Sequence, residues 1–288
     1  MSNYQNRFTN VLSYIEENLD TELDIDKLCQ IAYLSKFHFH RQCSAFFGLS
    51  VLSLVKLLRL KRAAYQLAYR DDKKVVDIAL ASGYESHEAF SRAFKKHFNQ
   101  SPSDFRKSAD WAPWHSKYEP ILKLRAKIMN NKATFNVEIV DFPETSIAVI
   151  EHRAAPNLLG NTIQKFIAWR KLNALPPTKS KTFNLIYDDP NTTAANEYRF
   201  DLCCEVNQDV KENEHGVINK KIPAGKCALI RHIGSDDSIG VAVNYLYSNW
   251  LLTCDYEIRD YPMFFERVSF FPEVAEKDMI TDIYLPLT

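Results

Sequence analysis

The sequence predicts two domains of different class. The N-terminal one is all-α, with two helix-turn-helix units joined by a long helix. The C-terminal one is α+β, with a strand, helix, strand, strand pattern present twice. Three observations predict this. Apolar residues recur at helical spacing as far as Lys107, a block in the second half returns after eighty residues, and charge divides between the halves. At 288 residues the chain is long enough for two cores of ordinary size.

The elements follow in order. Leu28, Ile31 and Ala32 lead through Leu34 and Ser35 into KFHFHRQCSAFF, closed by Gly48, which reads as helix, turn, capped second helix and C-terminal glycine. Val51 to Arg70 is an apolar-rich helix dotted with Lys56, Arg59, Lys61 and Arg62. A second unit then begins with Ile78, Ala79 and Ala81 as a small apolar face, and Gly83 supplies a permissive turn. Ser86 is a good N-cap for a helix that turns Phe90 and Phe94 inward and Ser91, Arg92, Lys95 and Lys96 outward. Pro102 restarts the chain before Phe105 and Arg106.

Helical spacing places Phe37, His40, Arg41 and Ser44 in one stripe, opposite Phe39, Cys43 and Phe46. The later helix offers His87, Ser91 and Lys95, flanked by Glu88 and Arg92. Residue types and spacing from Ile78 to Arg106, with the earlier unit and the basic helix between, resemble the AraC/XylS family of transcription regulators over roughly Asn6 to Lys107. The resemblance implies that double-stranded DNA is a partner and that the two stripes enter successive major-groove segments about 34 Å apart. Arg41 and Arg92 are then the guanine-reading candidates. Lys56, Arg59, Lys61, Arg62, Lys96 and Arg106 are candidates for phosphate neutralisation. Charge agrees: residues 1–132 hold 21 Lys and Arg against 14 Asp and Glu, and 133–288 hold 15 against 22. Polyanion affinity is expected in the first half, with little from the second.

Lys107 to Ala133 carries Pro113, Pro120 and two tryptophans and reads as a connector, its ILKLRAKI portion having helical character. The expected division is a DNA-binding module over 1–112, a linker over 113–132 and an effector module over 133–288. In the last, Phe142, Pro143 and Ala148 to His152 recur as Ile222, Pro223 and Ala228 to His232. An amphipathic segment ending near Trp169 or Trp250 follows each copy, and then a pair of candidate strands. A half of this size cannot cover its sheet alone, so two copies related by a pseudo-twofold are expected to join around a shared cleft.

Within MFFERVSFF, alternation puts Phe264, Glu266, Val268 and Phe270 on one face. A carboxylate there is costly unless something cationic meets it, a ligand or an internal Arg231 or Arg267, or unless the strand is an edge with that face wet. The duplicated pattern, with YDDP at 187–190, Pro-Ala-Gly at 223–225, Asn-Trp-Leu at 249–251 and TDIYLPL at 281–287, resembles the GyrI-like effector-binding domain over about Thr134 to Thr288. Regulators of the right-origin-binding type carry these two modules in this order. The resemblance implies a small amphipathic, often cationic ligand held by aromatic walls and a buried carboxylate. Glu266 would be that carboxylate, with Trp169, Tyr187, Trp250, Tyr256 and Phe264 as candidate walls. Val268 stands where the family often has an aromatic residue.

Enzymatic chemistry has little support. There is no glycine-rich phosphate loop, nucleophile elbow or HExxH, and the six cysteines form no CxxC pair. Cys203 and Cys204 are adjacent and in a strand would point to opposite faces, as packed thiols. No cofactor and no metal are expected. The alternatives are a hydrolase using Glu266 as acid/base, or an interaction module with an acidic face. The N-terminus has no apolar signal core, so a cytoplasmic regulator without a membrane partner is expected, with DNA, a small-molecule effector and RNA polymerase as the partners the architecture allows.

Overall fold

The computed structural model describes residues 3–130, 135–190 and 192–288. The chain forms two compact units. The first comprises 1–133 with two short segments of later sequence, 235–238 and 271–278, and the second takes the rest.

The described helices of the first unit are α1 (Asn3–Glu17), α2 (Ile25–Ala32), α3 (Lys36–Phe47), α4 (Val51–Tyr69), α5 (Val75–Ala81), α6 (His87–Phe98), α7 (Pro102–Lys107) and α8 (Ala112–Asn130). Their boundaries follow from local chemistry. Asp24 caps α2, accepting from the Asp26 amide, and Ser50, Ser86 and Ser101 cap α4, α6 and α7 in the same way. Gly48 and Gly83 take φ of 70° and 73°, conformations a side chain resists, and they let α3 and α5 stop where they do.

On α6, Phe90, Phe94 and Phe98 fall at every fourth position and are buried. Phe94 stacks on Phe98 at 4.3 Å, Phe98 on Trp114 at 4.9 Å, and Phe105 meets both phenylalanines edge-on. This aromatic stack docks α6 against α7 and α8, and deleting one ring from it should cost about 3–5 kcal/mol. The stretch expected to be a connector is thus largely the helix α8, whose Trp114, Tyr118 and Ile121 are buried in the core of this unit. Residues 131 and 132 of that expected linker lie outside the described residues.

The described residues of the second unit include an eight-stranded antiparallel sheet, in the order β1-β6-β8-β7-β3-β4-β2-β5. The strands are β1 (Glu138–Phe142), β2 (Thr145–Arg153), β3 (Thr182–Ile186), β4 (Arg199–Glu205), β5 (Ile218–Ile222), β6 (Gly225–Ile233), β7 (Met263–Arg267) and β8 (Ile280–Pro286). Helix α9 (Leu159–Leu172) follows β2 and α10 (Ile239–Tyr245) follows β6. Each repeat contains a short leading strand, β1 or β5, that the sequence pattern did not reveal. These leading strands cross over, β1 pairing with β6 of the other repeat and β5 with β2.

The repeats join where β3 pairs with β7, in the register Phe183 to Glu266 and Leu185 to Phe264. That register is symmetric, because Leu185 and Glu266 occupy equivalent places, opposite Asp201 and Asp282 respectively. Strand alternation then sorts the core. Phe142, Phe183, Leu185, Cys203, Phe264 and Tyr284 cluster on one face. On the other, Cys204 and Leu202 pack with Phe166 and Trp169 of α9, and Ile283 and Leu285 pack with Ile239 and Ala242 of α10. Cys203 and Cys204 do point to opposite faces, and burial raises the pKa of both thiols.

Candidate functional site

Helix α3 stands on its buried side through Phe39, Cys43 and Phe47, while Phe46 is half-buried and stacks on Phe8 of α1 at 5.0 Å. The opposite stripe of Phe37, His40, Arg41 and Ser44 is exposed along its whole length, Phe37 to 90 %. An aromatic ring held that far into solvent at the start of a helix has no packing role in this unit. Helix α6 likewise exposes His87, Glu88, Arg92 and Lys95, with Ser91 half-buried. Between the two lies α4, 19 residues without interruption, which at 1.5 Å per residue rises roughly 28 Å. An ion pair of 2.8 Å between Lys36 and Asp26 sits across the first turn.

The basic residues expected at phosphates divide. Lys56 and Lys96 are exposed. Arg59 donates to the Leu19 carbonyl at 2.8 Å and Arg62 to the Ala81 carbonyl at 2.7 Å, so both brace the turns that bound the motifs. Arg106 donates to the Lys73 carbonyl at 2.6 Å. Lys61 departs most from expectation: it is buried, with its ammonium 3.0 Å from Glu276 and 3.2 Å from Asp237. The apolar neighbours Leu57, Leu58 and Leu60 draw this part of α4 inside, and the carboxylates compensate the charge carried in with it.

Arg125 on α8 meets the same carboxylates. It lies 2.6 Å from Asp237, and it also pairs with Glu276 and with Glu16 of α1. Burial alone would raise the Asp237 and Glu276 carboxyls. Lys61 and Arg125 more than offset it, leaving Glu276 below its ordinary value and Asp237 at about 2. For Glu16 burial prevails over Arg125, and its pKa is raised. Spacing along the sequence carried no signal for this cluster, since its members come from 16 to 276.

In the second unit Glu266 is mostly buried. Its carboxylate accepts from the Tyr284 hydroxyl at 3.4 Å and meets Lys181 at 3.0 Å. Lys181 is 58 % exposed and so is a replaceable partner. The two arginines considered from the sequence have partners of their own, and the Arg231 pKa is raised by its bonding to Asp282 and, to a lesser extent, by the Glu266 carboxylate. Arg231 forms a two-bond pair with Asp282, each bond 2.7 Å, and Arg267 donates to Asn184 at 2.8 Å. Burial, then the Glu266 and Asp282 carboxylates, raise the Tyr284 pKa.

Phe264 shares the Glu266 face, stacked on Tyr284 at 4.9 Å. Tyr187 packs against the same cluster and donates to the buried Asp201 at 3.0 Å, and burial followed by that carboxylate pushes its pKa up to about 12. Trp169 lies instead in the cluster beneath α9, and Trp250 and Tyr256, stacked at 6.5 Å, belong to that beneath α10. Those three are on the opposite face of the sheet and are not brought to Glu266. The reason is that the indoles follow the helices, and the helices cover the other side. Val268 falls just beyond β7 and is exposed. Among the described residues no group of three His, Cys, Asp or Glu side chains is placed to hold a metal ion. No single described helix is long and apolar enough to cross a membrane.

Residues 135–288 match the family described as GyrI-like small molecule binding domain, and residues 28–108 match a helix-turn-helix domain of AraC type. The chain belongs to the GyrI-like family. The probable transcriptional regulator YgiV of Escherichia coli is 37 % identical over 155 residues, 54 % of this chain and 97 % of that protein. The HTH-type transcriptional regulator YbfP of Bacillus subtilis is 37 % identical over 103 residues, 36 % of this chain and 35 % of that protein. The right origin-binding protein of Escherichia coli is 32 % identical over 102 residues, 35 % of each chain. The first similarity is the length of the GyrI-like match and the other two are about the length of the helical module.

Proposed function

We propose that this chain is a cytoplasmic, sequence-specific DNA-binding transcription regulator whose GyrI-like domain senses a small cationic or amphipathic molecule. The DNA-reading module lies within 1–112 and the effector module within 133–288. The observation that carries the reading is the pair of solvent-facing stripes, Phe37, His40, Arg41 and Ser44 on α3 and His87, Arg92 and Lys95 on α6 with the half-buried Ser91 among them, on two helix-turn-helix units joined by one unbroken helix. Such a pair suits successive major-groove segments on one face of a non-palindromic site. The names of YgiV, YbfP and the right origin-binding protein agree with this reading.

For the sensing half, Glu266 supports a cationic ligand because Lys181, which pairs with its carboxylate, is an exposed side chain. A ligand cation would take over that pairing and gain the apolar face of Phe264 and Tyr284 beside it. The function is binding without covalent chemistry. Selecting bound DNA from a random pool, then repeating the footprint with cationic amphiphiles, tests both halves. The expected result is one asymmetric site whose occupancy responds to the amphiphile. A palindromic footprint requiring two chains would remove the single-chain geometry.

A further inference from the structure

The helical unit is not closed by N-terminal residues alone. The segments 235–238 and 271–278 belong to it and contribute Asp237 and Glu276. Both carboxylates meet Lys61 of α4 and Arg125 of α8, and Glu16 of α1 completes the set. All five side chains are between 6 and 14 % exposed. The Lys61 ammonium also donates to the Tyr118 hydroxyl at 3.1 Å. Ions withdrawn from water this far persist together only because each compensates another, and removing one kind of partner leaves the others buried and uncompensated. Without the two acids of later sequence, Glu16 is the acid among the described residues that would still pair with Arg125.

We infer that Asp237 and Glu276 are positioning residues of the DNA reader: by holding Lys61 and Arg125 they set α4, which joins the two helix-turn-helix units, against α1 and α8. The inference rests on the reading of those units as DNA-binding. It also explains why a lysine on a basic helix is withheld from the surface, since its charge is committed to an internal task.

The test uses the full chain. Asp237→Asn with Glu276→Gln keeps shape and removes both charges. Adding Lys61→Met to that pair leaves Arg125 against Glu16, one charge of each sign. Glu273→Gln, in the same segment but on an exposed pair with Arg70, is the control. Amide exchange over 51–69 and affinity for the DNA selected by the wild type are measured at a temperature where circular dichroism shows each protein folded. The double variant should exchange at least tenfold faster in α4 and bind DNA at least tenfold more weakly. The control should match wild type, and the triple variant should recover most of both losses, which a purely steric role would not allow.

Unchanged α4 exchange, or faster exchange with unaltered DNA affinity, would overturn the inference. If the double variant does not fold, a folded and DNA-binding triple variant supports it and an unfolded one overturns it. A wild-type chain that selects no DNA sequence counts against the functional reading, and α4 exchange then still decides whether the carboxylates set that helix.

Discussion

Arg41 and Glu266 are the side chains on which the proposed DNA reading and ligand sensing turn. Arg41 stands free of the core on the solvent stripe of α3, where a guanidinium can make a two-bond contact to guanine. Arg41→Ala should relax preference at one base position by about 1–3 kcal/mol, read by competition among single-base variants of the selected site. An equal loss on every sequence would make it a phosphate contact. Glu266→Gln should abolish binding of cationic aromatic ligands with DNA affinity intact. Its cost in stability should be at most about 1 kcal/mol, because Lys181 is exposed and the pair is solvent-screened. Calorimetric titration is the suitable readout, since Trp169 and Trp250 lie on the opposite face of the sheet. At this scale the sequence was informative about which residues are polar among apolar neighbours, hence Glu266, but not about which cation meets it. Lys181 lies 85 positions away, and its proximity comes only from β3 lying beside β7.

Helix boundaries were legible because caps and turns are local. Ser86 accepts from the Ala89 amide at 3.1 Å, as its type and position imply, so Ser86→Ala should lower stability by about 1 kcal/mol in thermal melting and loosen the start of α6. Gly83→Ala should cost more. A Cβ there would sit 2.4 Å from the Arg59 guanidinium, on a backbone with φ of 73° that disfavours any side chain. In the sheet, duplication was readable because the strong strands β2 and β6 carry Ala, Ile and His at the same spacing, Ala148, Ile150 and His152 against Ala228, Ile230 and His232, each set preceded by a proline. The leading strands β1 and β5 were not readable. Each is five residues long with only its last residue buried, so period-two alternation had too little contrast to show them. Their crossing between repeats is a choice of partner, on which alternation is silent. The aromatic walls failed for a related reason. An indole at the end of an amphipathic segment announces burial, but the side of the sheet it is buried against depends on where the helix docks.

For the whole molecule, the division of charge leads to the expectation that the first half reads DNA with little help from the second, whereas the inference drawn from the buried cluster gives two acids of later sequence a place in the reader. A fragment ending at residue 133 would retain Lys61, Arg125 and Glu16 while losing Asp237 and Glu276. It should therefore be several kcal/mol less stable than the same region in the full chain, since breaking a buried pair typically costs about 3–5 kcal/mol. The same cluster sets an acid limit. Asp237 and Glu276 have folded pKa values held below their unfolded ones, so their contribution is complete above about pH 4.5, the ordinary Glu value, and is lost as pH falls towards the folded values, about 2 for Asp237. Glu16, whose folded pKa is raised, works in the opposite sense. Its contribution is present below its ordinary value and lost as pH rises through the folded one, which makes the neutral-pH stability lower than the other two acids alone would set. Melting of the full chain between pH 2 and 7 should show stability rising steeply with pH through the acid range, and Asp237→Asn with Glu276→Gln should flatten that rise. A rise of the same steepness in the double variant would assign acid sensitivity elsewhere, to pairs such as Asp201 with Arg153 and Lys220 in the sheet.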